Sequence, residues 1–234
     1  MRPSVRATPR IVPLSEYALT VEFGDGITLR TNELVLAGSA SLDEAALPGV
    51  LEVVPTYRSA TVYFDPLRTN ATTLTRQIRA TITNGSDTPP RPSTTQLIPV
   101  WYGGAAGPDL LDVARQADLT PADASRLHAS VTYRVYMLGF SPGFPYLGTV
   151  PERIATPRLS TPRKQVAAGS VGIAGTQTGI YPQTSPGGWR LIGRTPIHLF
   201  SLTRPKPFLL DPGDMVRFVP IDEDEFHRLS EEQA

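Results

Sequence analysis

A chain of 234 residues with 40% hydrophobic side chains holds one large or two small domains, at roughly 100–200 residues per domain. Basic and acidic side chains balance at 22 each, which removes any electrostatic case for nucleic acid or an anionic membrane as partner. Cysteine is absent, so disulfides, thiolate zinc sites and thiol nucleophiles are excluded; His128, His198 and His227 are dispersed, which argues against a metal centre. No run of about 18 apolar residues occurs, so no transmembrane helix is expected. Met1–Arg10 carries Arg2, Arg6 and Arg10 with no apolar core behind them, so it does not read as a signal peptide, and a cytoplasmic location is the default.

In chain order, residues 1–10 read as a tail and 11–83 as a small α+β domain. Ala18–Gly24 has strand composition and ends in the Gly24-Asp25-Gly26 turn. Leu29–Ala40 is expected as a helix. Leu51–Val54 and Ala60–Phe64 form a hairpin pattern, and Thr69–Thr83 places Leu74, Ile78 and Ile82 on one helical face. The Pro-, Ser- and Thr-rich stretch 84–96 reads as a linker. Residues 97–221 form the second domain. It opens with a strand over Leu97–Tyr102, then helices over Pro108–Ala117 and Thr120–His128, the latter with a Thr N-cap and Pro at its first position. Short strands follow at Tyr133–Leu138, Val166–Ala168, Val171–Ala174, Ile197–Phe200 and Val216–Pro220. Gly/Pro turns separate them, which is the pattern of a barrel or sandwich. Residues 222–234 are a charged tail, expected as an exposed short helix.

Four segments carry candidate chemistry. Gly139–Gly148 combines Phe140, Pro142, Gly143, Phe144 and Tyr146 in a stiff loop, read either as ligand-facing or as a plug capping the barrel. Pro157-Arg158 and Pro162-Arg163 set two guanidinium forks on stiffened backbone, suited to carboxylate or phosphate, or else to a solvated edge. Ala168–Pro182 places Gly169, Ser170, Thr178 and Gly179 where backbone approaches a ligand closely, or where barrel corners bend. It is neither a Walker A loop nor a dinucleotide fingerprint. Ser185–Pro196 contributes Gly187, Gly188, Trp189 and Arg194, with Arg194 the stronger anion contact. His128 reads as a capping or packing residue. No nucleophile elbow and no acid–histidine pairing is legible, so no catalytic residue and no metal ligand is assigned.

These segments, together with Tyr102-Gly103-Gly104, Gly107-Pro108-Asp109-Leu110 and Pro212-Gly213-Asp214, resemble one family in order and spacing. It is variously called the 5-oxoprolinase B-subunit (PxpB), allophanate hydrolase subunit 1, or the KipI kinase inhibitor. The resemblance covers about residues 11–221. It implies an α+β fold, a small N-terminal domain followed by a cyclophilin-like β-barrel. It further implies a homologous larger partner (PxpC- or KipA-like), a PxpA-like third subunit, and ATP with Mg in the complex, with no covalently bound cofactor. The implied activity is ATP-dependent opening of 5-oxo-L-proline to L-glutamate, with the chain inactive alone. On that reading Arg158, Arg163, Arg194 and the amides near Gly169–Gly172 supply donors for a carboxylate, a carbonyl oxygen and phosphate. Two other implied roles are a KipI-like inhibitor of a sensor histidine kinase, anchored by Phe140, Phe144 and Tyr146, and the carboxyltransferase half of a urea carboxylase. Ala105 and Ala167 depart from the family pattern.

Overall fold

The structure, a computed structural model, describes residues 5–84 and 93–233. The chain divides into two compact units, Met1–Pro92 and Ser93–Ala234.

In the first unit β1 (Val5–Ser15), β2 (Ala18–Gly24), β3 (Val50–Pro55) and β4 (Ser59–Phe64) form an antiparallel sheet in the order β1-β2-β4-β3. Helices α1 (Leu29–Ala45) and α2 (Ala71–Asn84) complete it. Alternation along β2 and β4 sends Leu19, Val21, Phe23, Ala60, Val62 and Phe64 into a core shared with Val35, Leu42, Leu74 and Ile78. The Thr28 hydroxyl caps α1 by accepting the Thr31 N–H at 3.0 Å. Gly38 is required there, because a Cβ would stand 2.5 Å from the Phe23 ring. The expected helix end at Ala40 is corrected to Ala45, since Leu42 extends the buried face by two turns from Val35. The expected tail over 1–10 is also corrected. Val5–Arg10 belongs to β1, where Arg10 pairs with Glu22 across the strands.

The expected linker, 84–96, lies largely outside the described residues. Where it is described it is shorter than expected, because Asn84 ends α2 and Thr95 begins β5. In the second unit the elements are β5 (Thr95–Tyr102), α3 (Leu110–Gln116), α4 (Pro121–Ala129), β6 (Thr132–Leu138) and β7 (Pro145–Gly148). They continue with β8 (Arg163–Val166), β9 (Ser170–Ala174), β10 (Gln177–Ile180), β11 (Ser185–Gly187), β12 (Arg190–Arg194), β13 (Met215–Ile221) and α5 (Glu223–Glu232). Seven strands close into a barrel in the order β10-β7-β6-β13-β5-β12-β9, while β8 and β11 form a separate ribbon. The chain is thus α+β with a barrel domain. Closure removes sheet edges, which is how strands of four or five residues remain stable.

Ile98, Val100, Tyr133, Val135, Leu147, Val171, Ile173, Ile180, Ile192, Val216 and Phe218 fill the barrel core, with α3 and α4 packed against it. Two strand expectations are corrected. Ile197–Phe200 forms no ladder beyond a bridge between Phe200 and Phe208: in that register Ile197 would face Asp211, but Ile197 N–H donates to Thr195 Oγ1 and Asp211 N–H to Asp214 Oδ2. The strand expected at Val166–Ala168 ends at Val166. The C-terminal helix is charged on one side only: Phe226 is buried, its ring 5.5 Å from that of Trp101.

Candidate functional site

The glycine-rich segment resolves into a shelf. On β9, Val171 and Ile173 point into the barrel core, and on β10 Ile180 does the same. Strand alternation therefore turns Gly172 and Gly179 outward, and these two are cross-strand partners. A Cβ on Gly172 would lie 3.0 Å from Trp189 Cβ, and one on Gly179 would lie 3.0 Å from both the Phe144 and Trp189 rings. Two glycines side by side thus give Trp189 and Phe144 a flat seat on the barrel's outer face. Gly187 does the same for Tyr181, whose phenol oxygen would stand 2.3 Å from an added Cβ.

The resulting aromatic cluster joins Phe144, Tyr146, Tyr181 and Trp189, with ring centroids 4.9–5.9 Å apart in tilted or edge-on pairs. Phe140 stands at its rim, 62% exposed and 5.4 Å from Phe144. The loop that presents it is closed upon itself: Gly139 N–H donates to Phe144 C=O, and Phe144 N–H donates to Ser141 C=O. Phe140 and Gly143 adopt φ of +66° and +80°, Gly143 lies against Phe200, and Pro142 is exposed at the turn.

Arg158 lies over this cluster, its guanidinium carbon 5.7 Å from the Trp189 ring centroid. Among the described residues no ion pair or side-chain hydrogen bond engages it. Burial raises the Tyr146 phenol above its ordinary value, and the Arg158 charge opposes that rise. Burial likewise raises Tyr181, opposed by the Trp189 N–H and by the charges of Arg158 and Arg163. Both arginines therefore act on one phenol. Arg163 itself is held: it donates to Asp109 Oδ1 at 2.7 Å and reaches the Trp189 carbonyl at 3.4 Å. Gly188 packs beside Pro162.

The remaining predicted residues fall elsewhere. Arg194 closes the opposite end of β12, about five extended residues or roughly 16 Å from Trp189. Its Nε donates to Ala168 C=O at 2.8 Å and its guanidinium sits over Phe226. Gly169 at φ +81° is pressed against Thr195, whose carbonyl would be 2.2 Å from a Cβ. The amides expected to serve as anion donors there are corrected: Gly169 N–H donates to Tyr181 C=O and Ser170 N–H to Ala167 C=O, while Gly172 lies in the ladder. Ser170 is buried in β9. The seats that glycines would offer to phosphate oxygens are filled by the protein itself, so this segment does not fit the phosphates of ATP. No group of three or more His, Asp or Glu among the described residues is arranged to hold a metal ion.

Thr178 belongs to the barrel interior. Its hydroxyl donates to Gly172 C=O at 2.9 Å, so it accepts from His128 Nε2 at 2.9 Å. That fixes the imidazole as the Nε2–H tautomer, and Nδ1 accepts the Tyr102 hydroxyl at 2.8 Å. His128 is fully buried, stacked 4.7 Å from Phe218, and burial lowers its pKa from 6.5 to about 3. It is a neutral packing residue, not an acid–base group.

Residues 9–210 match the family model described as carboxyltransferase domain, subdomain C and D. The 5-oxoprolinase B-subunit of Bacillus subtilis (strain 168) is 40% identical over 233 residues, covering 95% of this chain and 97% of that protein. The chain belongs to the 5-oxoprolinase B-subunit family. The family member of Escherichia coli O157:H7 is 42% identical over 207 residues, 88% of this chain and 94% of that one. Among solved structures, TTHA0988 superposes with a TM-score of 0.78 at 38% identity, over 88% of this chain; the chain spans 40% of that longer protein. Within this family frame two residues of the cluster escape sequence reasoning, Tyr181 and Asp109. Tyr181 falls at the end of the glycine segment Ala168–Pro182, where the sequence assigns it no role. Asp109 falls inside the helix expected over Pro108–Ala117, and only its distance from Arg163 in three dimensions reveals its partner.

Proposed function

We propose that this chain is the subunit of an ATP-dependent 5-oxoprolinase that contributes the carboxylate-binding wall of the lactam site. The observation carrying this reading is Arg158, a guanidinium with no ion pair among the described residues, over the ring of the buried Trp189 and beside Tyr146. A five-membered lactam bearing a carboxylate matches that set: its ring lies on an aromatic floor and its anion meets a guanidinium fork. The cluster holds two raised phenols and no carboxylate or imidazole positioned as a general base. Proton transfer and phosphoryl chemistry then belong to partner chains, in keeping with the relatives being named as single subunits of an enzyme. Cytoplasmic assembly with a homologous larger subunit and a PxpA-like chain is part of the same proposal. Among the described residues no helix is long and apolar enough to cross a membrane. The family model's description favours a second reading, in which the same wall serves a carboxyltransfer reaction.

The test is ATP-dependent glutamate formation from 5-oxo-L-proline by the reconstituted complex, with and without this chain. Omission is expected to abolish turnover, and Arg158→Gln is expected to raise KM on the order of 10- to 100-fold, the size of a lost charge-assisted contact. Full turnover without this chain, or an unchanged KM in the variant, would sink the reading.

A further inference from the structure

Arg158 and Arg163 look equivalent in the sequence, but the fold treats their charges differently. Asp109 stands at the N-cap of α3, where an aspartate ordinarily accepts an N–H of its own helix; it makes no such bond. Its carboxylate is buried, 6% exposed, and turns the other way. Oδ2 accepts the Leu191 N–H at 2.7 Å and Oδ1 accepts Arg163 Nη2 at 2.7 Å, joining positions 82 and 54 residues away in the chain. A capping contribution of about 1 kcal/mol is forgone in favour of a clamp on Arg163 and on the first residues of β12, next to Trp189. The Arg163 side chain is 28% exposed and its charge is matched within this pair. Arg158 has no such match, although both guanidiniums act on Tyr181.

We propose that Asp109 sets the charge specificity of the site. By matching Arg163 it leaves one uncompensated positive charge over Trp189, and so selects a singly charged carboxylate over a doubly charged phosphate. The inference rests on the reading that Arg158 and Trp189 hold the ligand's carboxylate. It agrees with the filled glycine seats of β9 and β10, which leave no backbone cradle for phosphate oxygens. Asp109 acts through Arg163 and is a positioning residue.

The experiment uses two probes with the same ring, benzoate and phenyl phosphate, titrated calorimetrically into the full chain at pH 8, where the phosphate is a dianion. The wild type is expected to prefer benzoate. Asp109→Asn keeps an acceptor for Leu191 and frees the Arg163 charge, and is expected to shift the ratio about tenfold toward phenyl phosphate, as a second unscreened cation near the ligand would. Asp109→Asn combined with Arg163→Gln removes both charges, leaves no buried ion unpaired, and is expected to restore the wild-type ratio. Equal wild-type affinity for the two probes, or an unchanged ratio in Asp109→Asn, overturns the inference. Should Asp109→Asn fail to fold, the double variant decides alone: a ratio moved from wild type in either direction overturns it. Benzoate binding that survives Arg158→Gln, or no wild-type binding of either probe, strikes the underlying reading instead.

Discussion

The polar chain inside the barrel and the guanidinium cluster outside it use similar parts and end differently. Inside, Tyr102, His128, Thr178 and the Gly172 carbonyl form a run in which each hydrogen is donated once and each ring nitrogen is used. Nothing is left over for a ligand. Outside, Arg163 is matched by Asp109, while Arg158 ends on a ring face with no anion among the described residues. A closed polar set in a low-dielectric interior stabilises one packing arrangement; an open one beside aromatic walls is what a ligand completes. His128, the residue type most often tied to catalysis, is the structural one here, and the ligand-binding role proposed above falls instead to an exposed arginine.

The largest expected effect lies inside. His128→Ala removes a fully buried ring and leaves the Tyr102 and Thr178 hydroxyls without their shared partner, at a cost of about 3–5 kcal/mol to the second unit. Denaturant unfolding monitors it, and the comparison would break if the loss were under about 1 kcal/mol. Ligand affinity of the folded fraction is expected to hold. The same residue sets a pH dependence. Its folded pKa is about 3 against 6.5 ordinarily, so below pH 6.5 the unfolded chain takes up a proton that the folded chain refuses. Stability is therefore fully present above pH 6.5 and falls by about 1.4 kcal/mol per pH unit toward pH 3, or about 2 kcal/mol at pH 5. Unfolding curves at pH 7.5 and 5 measure it, and His128→Gln should flatten the difference.

How much of this was legible in the sequence depends on the kind of contact. Helix faces follow local periodicity, so the buried Leu74 and Ile78 of α2 stand out in the sequence, and the Thr120 cap of α4 is where its sequence placed it. The barrel's short strands β7, β10 and β12, and β11 of the separate ribbon, were not legible, because glycine and proline in them read as turns. Gly172 and Gly179 show why. Their spacing is the same whether a ligand or a tryptophan fills the space above them, and only cross-strand register reveals that Trp189 does. The arginines fail in the same way: proximity to Asp109 comes from pairing across 54 residues, which no local pattern encodes. Ser170 and Thr178, on the two strands that flank the β9–β10 turn, are sorted by alternation into strand packing and barrel interior.

The smallest expected effect falls on Phe140, and it separates the two readings its loop left open. As a plug, Phe140 would be buried and its removal would cost stability; as a ligand-facing rim, it would cost affinity. The ring is 62% exposed and forms edge-on pairs with Phe144 and Tyr181, at 5.4 and 6.3 Å between centroids. Its φ of +66° is a left-handed conformation that costs a non-glycine residue roughly 1–2 kcal/mol. Phe140→Gly relieves that strain while giving up ring contacts worth about 1 kcal/mol and adding backbone entropy to the unfolded chain, so stability should stay within about 0.5 kcal/mol of wild type. Affinity for a ring-bearing carboxylate should fall about threefold, the equivalent of one lost edge contact. Calorimetry and denaturant unfolding on the same preparation read both quantities. A stability loss of several kcal/mol with unchanged affinity would return the loop to the plug, and with it the rim of the site to Arg158, Tyr146 and Trp189 alone.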